Sequence, residues 1–210
     1  MKPLRIVFLG TNGVGKTSTI RRFLYGTFQE KTEETLAQSY NETVFLPNGI
    51  FQQVHILDTC GSDEFPAMRT VNIKTGDYFV VMYAVDDRKS FEQALNFCEE
   101  IKEIKGKEFK RILIVGNKID KKCDREVSTD EVLRTSIKHD LFWFTETSAK
   151  LNCNMRCLFQ IILRHYVKSD DCFVENRNVS KCRTYTPNRF KHKSRKISMQ
   201  DLVYSLCNTS

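Results

Sequence analysis

An α/β fold, with a six-stranded and mostly parallel sheet covered by helices on both faces, is what this sequence predicts. Two observations carry it. Short apolar segments rich in β-branched residues alternate along residues 4–168 with segments whose apolar residues recur at three and four, and such alternation builds parallel sheets from strand-helix-strand units. The 210 residues, 40 % hydrophobic and 11 % aromatic, also supply enough apolar surface for one core and exclude wholesale disorder.

The elements follow in order. Leu4 to Leu9 is an apolar strand that stops at Gly10, and Thr17 to Leu24 is a helix with Ile20, Phe23 and Leu24 on one side. Thr43 to Leu46 and Val54 to Leu57, separated by Pro47-Asn48-Gly49, read as a hairpin. Tyr78 to Val85 is apolar throughout, as a strand buried on both faces must be. Phe91 to Ile104 is helical, with Phe91, Leu95, Cys98 and Ile101 in one stripe. Ile112 to Val115 is the fifth strand, and Ser128-Thr129-Asp130-Glu131 opens the next helix with the chemistry of a cap. Leu141 to Thr145 and a helix from Asn154 to Val167, faced by Met155, Leu158, Phe159 and Ile162, complete the set. No apolar run reaches the roughly 18 residues needed to span a bilayer. The first residues imitate a signal peptide but have too short an apolar stretch and no small-residue cleavage site, so a cytosolic protein is expected.

Ligands of such sheets sit beyond the carboxyl ends of the strands, and four motifs fall there. Gly10-Thr11-Asn12-Gly13-Val14-Gly15-Lys16-Thr17, followed by Ser18, fits the pattern G-x-x-x-x-G-K-[ST] between a strand and a helix. Its glycines turn the backbone so that several N–H groups face phosphates, and the helix N-terminus adds its positive end. Lys16 is expected on the β and γ phosphates and the Thr17 hydroxyl on Mg²⁺. Asp58-Thr59-Cys60-Gly61 closes the third strand, which puts Asp58 where it can hold Mg²⁺ through water and the Gly61 N–H where it can meet a γ-phosphate. Asn117-Lys118-Ile119-Asp120 ends the fifth strand. Guanine presents N–H donors at N1 and N2 that adenine lacks, so the Asp120 carboxylate selects guanine; Asn117 can meet N7, and the Lys118 stem can cover a ring face. Glu146-Thr147-Ser148-Ala149-Lys150 ends the sixth strand and offers the Ala149 N–H to the guanine O6. A site whose fixed donors and acceptors are left unpaired by an analogue rejects it by about 10⁴ or more.

These motifs, in this order, resemble those of the Ras family of small GTPases across residues 4–168, a P-loop NTPase G domain. The segments Phe65-Pro66-Ala67-Met68-Arg69 and Tyr83-Ala84-Val85-Asp86-Asp87 are most similar to the Di-Ras, Rhes and Ras-dva branch. The resemblance implies a switch that binds GTP or GDP with Mg²⁺, hydrolyses GTP, and answers to exchange factors, GTPase activators and effectors. It also implies Phe28 against the guanine, and Thr35 on Mg²⁺ and the γ-phosphate in the triphosphate state. Lys16, Thr35, Gly61 and the residue after it, Ser62, become the catalytic group. Thr17, Thr35 and Asp58 become the metal ligands, with Ser148 and Lys150 beside Ala149 at the base. The first switch is expected over Gln29 to Tyr40 and the second from Gly61 to about Lys74.

Three departures point to slow turnover. Relatives place a water-orienting glutamine where this chain has Ser62, which is too short to span the same gap. Asn12 replaces a glycine and would crowd an incoming arginine finger, an element that supplies roughly 10³ to 10⁵ in rate. Cys60 replaces a small alanine. The effector segment is altered to Leu36-Ala37-Gln38-Ser39-Tyr40, so partners that dock on the family's acidic version are not expected here. Two other functions are compatible with the phosphate loop: a GTP-locked binding module, and a P-loop nucleotide kinase, for which the sequence offers no arginine-rich lid segment.

The net charge of +7 is uneven: 25 Lys and Arg against 22 Asp and Glu in residues 1–168, but 8 against 4 in 169–210. A boundary near Lys168 therefore separates the folded domain from a basic tail, expected to be disordered, in which Arg177 to Lys196 holds all eight cations and no acid. Such a tail meets an anionic surface. A membrane fits better than nucleic acid, because no nucleic-acid motif accompanies it. Cys207-Asn208-Thr209-Ser210 places a cysteine where prenylation motifs do, with a terminal serine that suits farnesyl, although Asn208 and Thr209 are not the preferred aliphatic pair. The expected location is the cytoplasmic face of the plasma membrane or another membrane, or the cytosol without the lipid, and the expected state is a monomer. Ser198 follows Arg195-Lys196 as kinase sites do. The eight cysteines form no C-x-x-C pair; Cys153 and Cys157, four apart, are read as small apolar residues and not as zinc ligands.

Overall fold

A computed structural model describes residues 2–30, 37–46, 50–61, 66–141 and 143–170. Its eleven elements run β1 (Leu4–Leu9), α1 (Lys16–Tyr25), β2 (Ala37–Phe45), β3 (Phe51–Thr59), α2 (Pro66–Thr75), β4 (Tyr78–Ala84), α3 (Arg88–Lys105), β5 (Ile112–Asn117), α4 (Thr129–Lys138), β6 (Trp143–Glu146) and α5 (Met155–Asp170). The six strands form one sheet in the order β2-β3-β1-β4-β5-β6. All neighbours are parallel except β2, which pairs antiparallel with β3 from Ala37 opposite Thr59 to Phe45 opposite Phe51.

Alternation along the strands separates two cores. Leu4, Ile6 and Phe8 of β1 and Val80 and Met82 of β4 pack with Ile20 and Phe23 of α1 and Leu158, Phe159 and Ile162 of α5. The intervening Val7, Leu9, Phe79, Val81 and Tyr83 pack with Ile73 of α2, Phe91, Phe97 and Ile101 of α3, and Val132 of α4. A period of two in the strands thus meets a period of 3.6 in the helices on both sides. Helix ends follow local chemistry: the Asp87 carboxylate accepts from the Ser90 N–H at the start of α3, and the Ser128 hydroxyl accepts from the Glu131 N–H at the start of α4. Among the described residues no helix is long and apolar enough to cross a membrane.

The sequence reading is corrected in two places. β2 begins at Ala37, not Thr43, so the carboxyl end of the segment expected to be the first switch loop is strand. An edge strand has one neighbour, and Gln38, Asn41, Glu42 and Thr43 carry no hydrophobic signal. The region expected as the second switch contains α2, which the pattern missed because only Ile73 is buried while Met68 and Val71 are exposed. The Pro47-Asn48-Gly49 turn and the tail lie outside the described residues.

Candidate functional site

Parallel pairing brings the carboxyl ends of β1, β3, β4, β5 and β6 to one edge, where a cavity of about 900 Å³ opens. Asn12, Gly13, Gly15, Lys16, Thr17, Ser18, Phe28, Gly61, Asn117, Lys118, Asp120, Ala149 and Lys150 line it, along with Gln29, Glu30, Thr59 and Lys121. Residues from four separate motifs therefore share one cleft of the size that takes a small-molecule ligand. Gly10 and Val14 are buried behind the loop, and Asp58 and Ser148 are buried without reaching the cavity surface. Thr35, Ser62 and Cys207 lie outside the described residues.

The loop between β1 and α1 needs its glycines at two points. Gly10 has φ of 147°, and a Cβ there would fall 2.4 Å from the Met82 carbonyl oxygen; Gly15 has φ of 95°, and a Cβ there would fall 2.3 Å from the Asn117 amide nitrogen. Lys16 folds back over this loop, its ammonium donating to the Gly10 and Thr11 carbonyls at 2.8 and 3.1 Å. Burial pushes its pKa down to about 8, while Asp58 and Cys60 pull the other way. The cation is thus poised beside a cavity and only partly compensated, which is an anion-binding arrangement.

Beside it, the Thr17 hydroxyl donates to Asp58 Oδ2 at 2.6 Å, and the other carboxylate oxygen, Oδ1, is buried with no hydrogen-bond partner among the described residues. Burial raises the Asp58 pKa against the pull of Thr17, Lys16 and Arg21. A hydroxyl and a carboxylate with one orphaned buried oxygen are the hard oxygen donors that Mg²⁺ takes. Among the described residues no group of three His, Cys, Asp or Glu is placed to hold a metal.

At the far end the expected residues are tied to one another. The Asn117 side chain, expected at the base, stitches the site together: its Nδ2 donates to the Val14 carbonyl at 2.9 Å, and its Oδ1 accepts from the Thr147 hydroxyl and the Ala149 N–H, both at 3.2 Å. The Ala149 N–H, expected to face a guanine O6, thus also bonds Asn117. The Ser148 hydroxyl donates to Asp120 Oδ1 and accepts from the Leu151 N–H, which fixes that carboxylate. Lys118 has a left-handed backbone at φ of 67°, and its ammonium lies 3.9 Å from Asp86. Phe28, Lys118 and Asp120 line the same cavity.

Sequence reasoning missed three contributors because they act through tertiary contact. Arg125 holds Glu146 through two bonds at 2.7 and 3.1 Å, anchoring the start of the Thr147–Lys150 loop. Asp86 pairs with Lys118 and Lys121. Arg22 meets the back of the same loop. The only advance signal was a basic residue in the last turn of α1, a position that favours cations in any helix.

The Ras family profile matches residues 5–168 of this chain. Among curated relatives, GTP-binding protein Di-Ras2 of Mus musculus is 39 % identical over 166 residues, covering 76 % of this chain and 79 % of its own. GTP-binding protein drn-1 of Caenorhabditis elegans is 36 % identical over 161 residues, with 76 % and 73 % covered. Ras-like protein 1 of Saccharomyces cerevisiae is 32 % identical over 164 residues, with 78 % of this chain but 52 % of its own covered. The similarity to Di-Ras proteins agrees with the segments that pointed to that branch, and since the match spans every element from β1 to α5, this chain belongs to the Ras family of small GTPases.

Proposed function

We propose that the chain is a GTP/GDP signalling switch with slow intrinsic hydrolysis. Lys16 receives the β and γ phosphates, helped by the N–H groups of the loop from Asn12 to Ser18 and by the N-terminus of α1. Thr17 and Asp58 hold Mg²⁺, joined by Thr35 in the triphosphate state; the ion supplies neutralisation of charge on the phosphate oxygens. Asp120, fixed by Ser148, accepts from the guanine N1 and N2 donors, while Phe28 and the Lys118 stem enclose the ring. Asn117 acts first as the brace that holds Val14 and Ala149 at the right separation. Loss of the γ-phosphate removes ligands from Thr35 and Gly61, and the two switches relax.

One observation carries the slow rate. A Cβ on Gly61 would fall 2.3 Å from the Asn12 Oδ1 and 2.4 Å from the Asn12 N, so the Asn12 side chain already occupies the space beside the Gly61 backbone. That space is where an arginine finger and an attacking water must be admitted, and Ser62 is too short to orient the water across it. Exclusion of the finger alone takes roughly 4 to 7 kcal/mol from the stabilisation of the activated transition state, and the lost water orientation slows the intrinsic reaction. The second reading, a GTP-locked binding module, differs only in degree. A nucleotide kinase has no support in the cleft, whose base end offers Asp120 to guanine.

The proposal extends to place and partners. The basic run from Arg177 to Lys196 and a farnesyl group on Cys207 together hold the protein to the cytoplasmic face of an anionic membrane, since one lipid alone binds weakly. Exchange factors, activators and effectors act on it as a monomer. The test is single-turnover hydrolysis of bound GTP in wild type, Asn12→Gly, Ser62→Gln and the double variant. Wild type should turn over slowly and ignore an arginine-finger activator, and the double variant should gain more than either single change. A wild-type rate equal to that of an ordinary Ras protein, with full activator response, would refute slow turnover.

A further inference from the structure

One guanidinium joins two segments, 26–28 and 149–150, that contribute to the wall of the cleft. Arg22 Nε donates to the Ala149 carbonyl at 2.7 Å, Nη2 to the Lys150 carbonyl at 2.9 Å, and Nη1 to the Gly26 carbonyl at 2.7 Å. Its carbon lies 5.6 Å from the centroid of the Phe28 ring. Ala149, Lys150 and Phe28 line the cavity, whereas Arg22 does not. Arg22 therefore stands behind the wall and joins its parts.

The chain reaches this geometry for local reasons. Gly26, the C-cap of α1, is left-handed at φ of 68°, and its N–H donates to the Arg22 carbonyl. That turn brings residues 26–28 back past the last turn of α1, so the Arg22 fork can hold the Gly26 carbonyl and still face Phe28. Six residues earlier on the same helix is Lys16, about 9 Å away along the axis at 1.5 Å per residue. One rigid helix thus carries the phosphate cation at its start and the brace of the base wall near its end.

We infer that Arg22 is a positioning residue that sets how long a guanine nucleotide stays bound. The inference rests on the guanine-site reading above. With Arg22 in place, the 149–150 backbone and the Phe28 ring are fixed before the base arrives, and little ordering is left to be done on binding. Without it, the two carbonyls and the ring lose their shared partner, and the wall opens more readily to release the ligand. A lysine cannot substitute, because a single ammonium does not reproduce a planar fork that serves three carbonyls and stacks on an aromatic face.

The experiment uses the full chain loaded with a fluorescent GDP analogue and chased with excess GDP, for wild type, Arg22→Lys and Arg22→Gln, with Mg²⁺ and after its removal. Both variants should release the analogue roughly 10- to 100-fold faster, as expected for losing one or more charge-assisted hydrogen bonds. The factor by which Mg²⁺ removal speeds release should stay the same, because the phosphate end is untouched. Variant release within about twofold of wild type would overturn the role of Arg22. So would full rescue by lysine, or a changed Mg²⁺ factor, either of which makes Arg22 a general structural residue. A wild-type chain that retains no GDP would instead overturn the guanine-site reading, and this inference with it.

Discussion

Binding of GDP should take up a proton, and the uptake should grow as pH rises from 7 to 8.5. Lys16 is buried in the fold, and burial pushes its pKa from 10.5 down to about 8. At 1.36 kcal/mol per unit this corresponds to about 3 kcal/mol of penalty on the charged form. The sign follows from the lowered value. The unfolded chain binds more protons than the fold between pH 8 and 10.5, so the penalty is fully present below pH 8 and fades as pH rises toward 10.5. Phosphates restore a partner to the ammonium and raise its pKa again. With a free-state pKa of about 8, roughly 0.1 of the population is neutral at pH 7 and roughly 0.75 at pH 8.5. Calorimetric titration of GDP and Mg²⁺ into nucleotide-free chain, in two buffers of different ionisation enthalpy, measures that uptake directly. A buffer-independent heat at pH 8.5 would refute the reasoning, because Lys16 would then be charged before the phosphates arrive.

Further outcomes follow from other parts of the site. Asp120→Asn should move preference from guanine toward xanthine nucleotides, whose C2 carbonyl suits an amide donor, and competition binding reads it; retained guanine preference would sink the role of Asp120. Ser128→Ala removes the side-chain acceptor for the Glu131 N–H at the start of α4 and should cost about 1 kcal/mol in chemical denaturation, with nucleotide affinity unchanged. For the tail, Ser198→Glu should leave anionic vesicles more readily than Ser198→Ala, since each nearby cation contributes about 1 kcal/mol to membrane attachment and added negative charge offsets it. Equal partitioning of the farnesylated forms at low salt would remove that switch.

What could be read in the sequence was what depends on near neighbours. The phosphate loop was legible because the turn needs glycine at Gly10 and Gly15 and the lysine follows at once. The strands β1, β4 and β5 announced themselves by continuous apolar residues, and α3 and α5 by their stripes. β2 and α2 were not legible in full: one is an edge strand facing solvent, and the other buries a single side chain, Ile73. The cleft residues are legible where motifs name them, but the contacts among them are not. The Asn117 amide joins Val14, Thr147 and Ala149, more than 25 residues away in each direction. The Ser148 hydroxyl fixes Asp120. Arg22 went unnoticed because its partners, Ala149 and Lys150, are brought to it only by the docking of the β6–α5 loop on α1.

The most direct test of the switch with slow hydrolysis is the nucleotide carried by the protein as purified, identified by chromatography after denaturation. The account predicts close to one guanine nucleotide per chain with a large share as GTP. Adenine nucleotide, or guanine nucleotide found only as GDP, would contradict it.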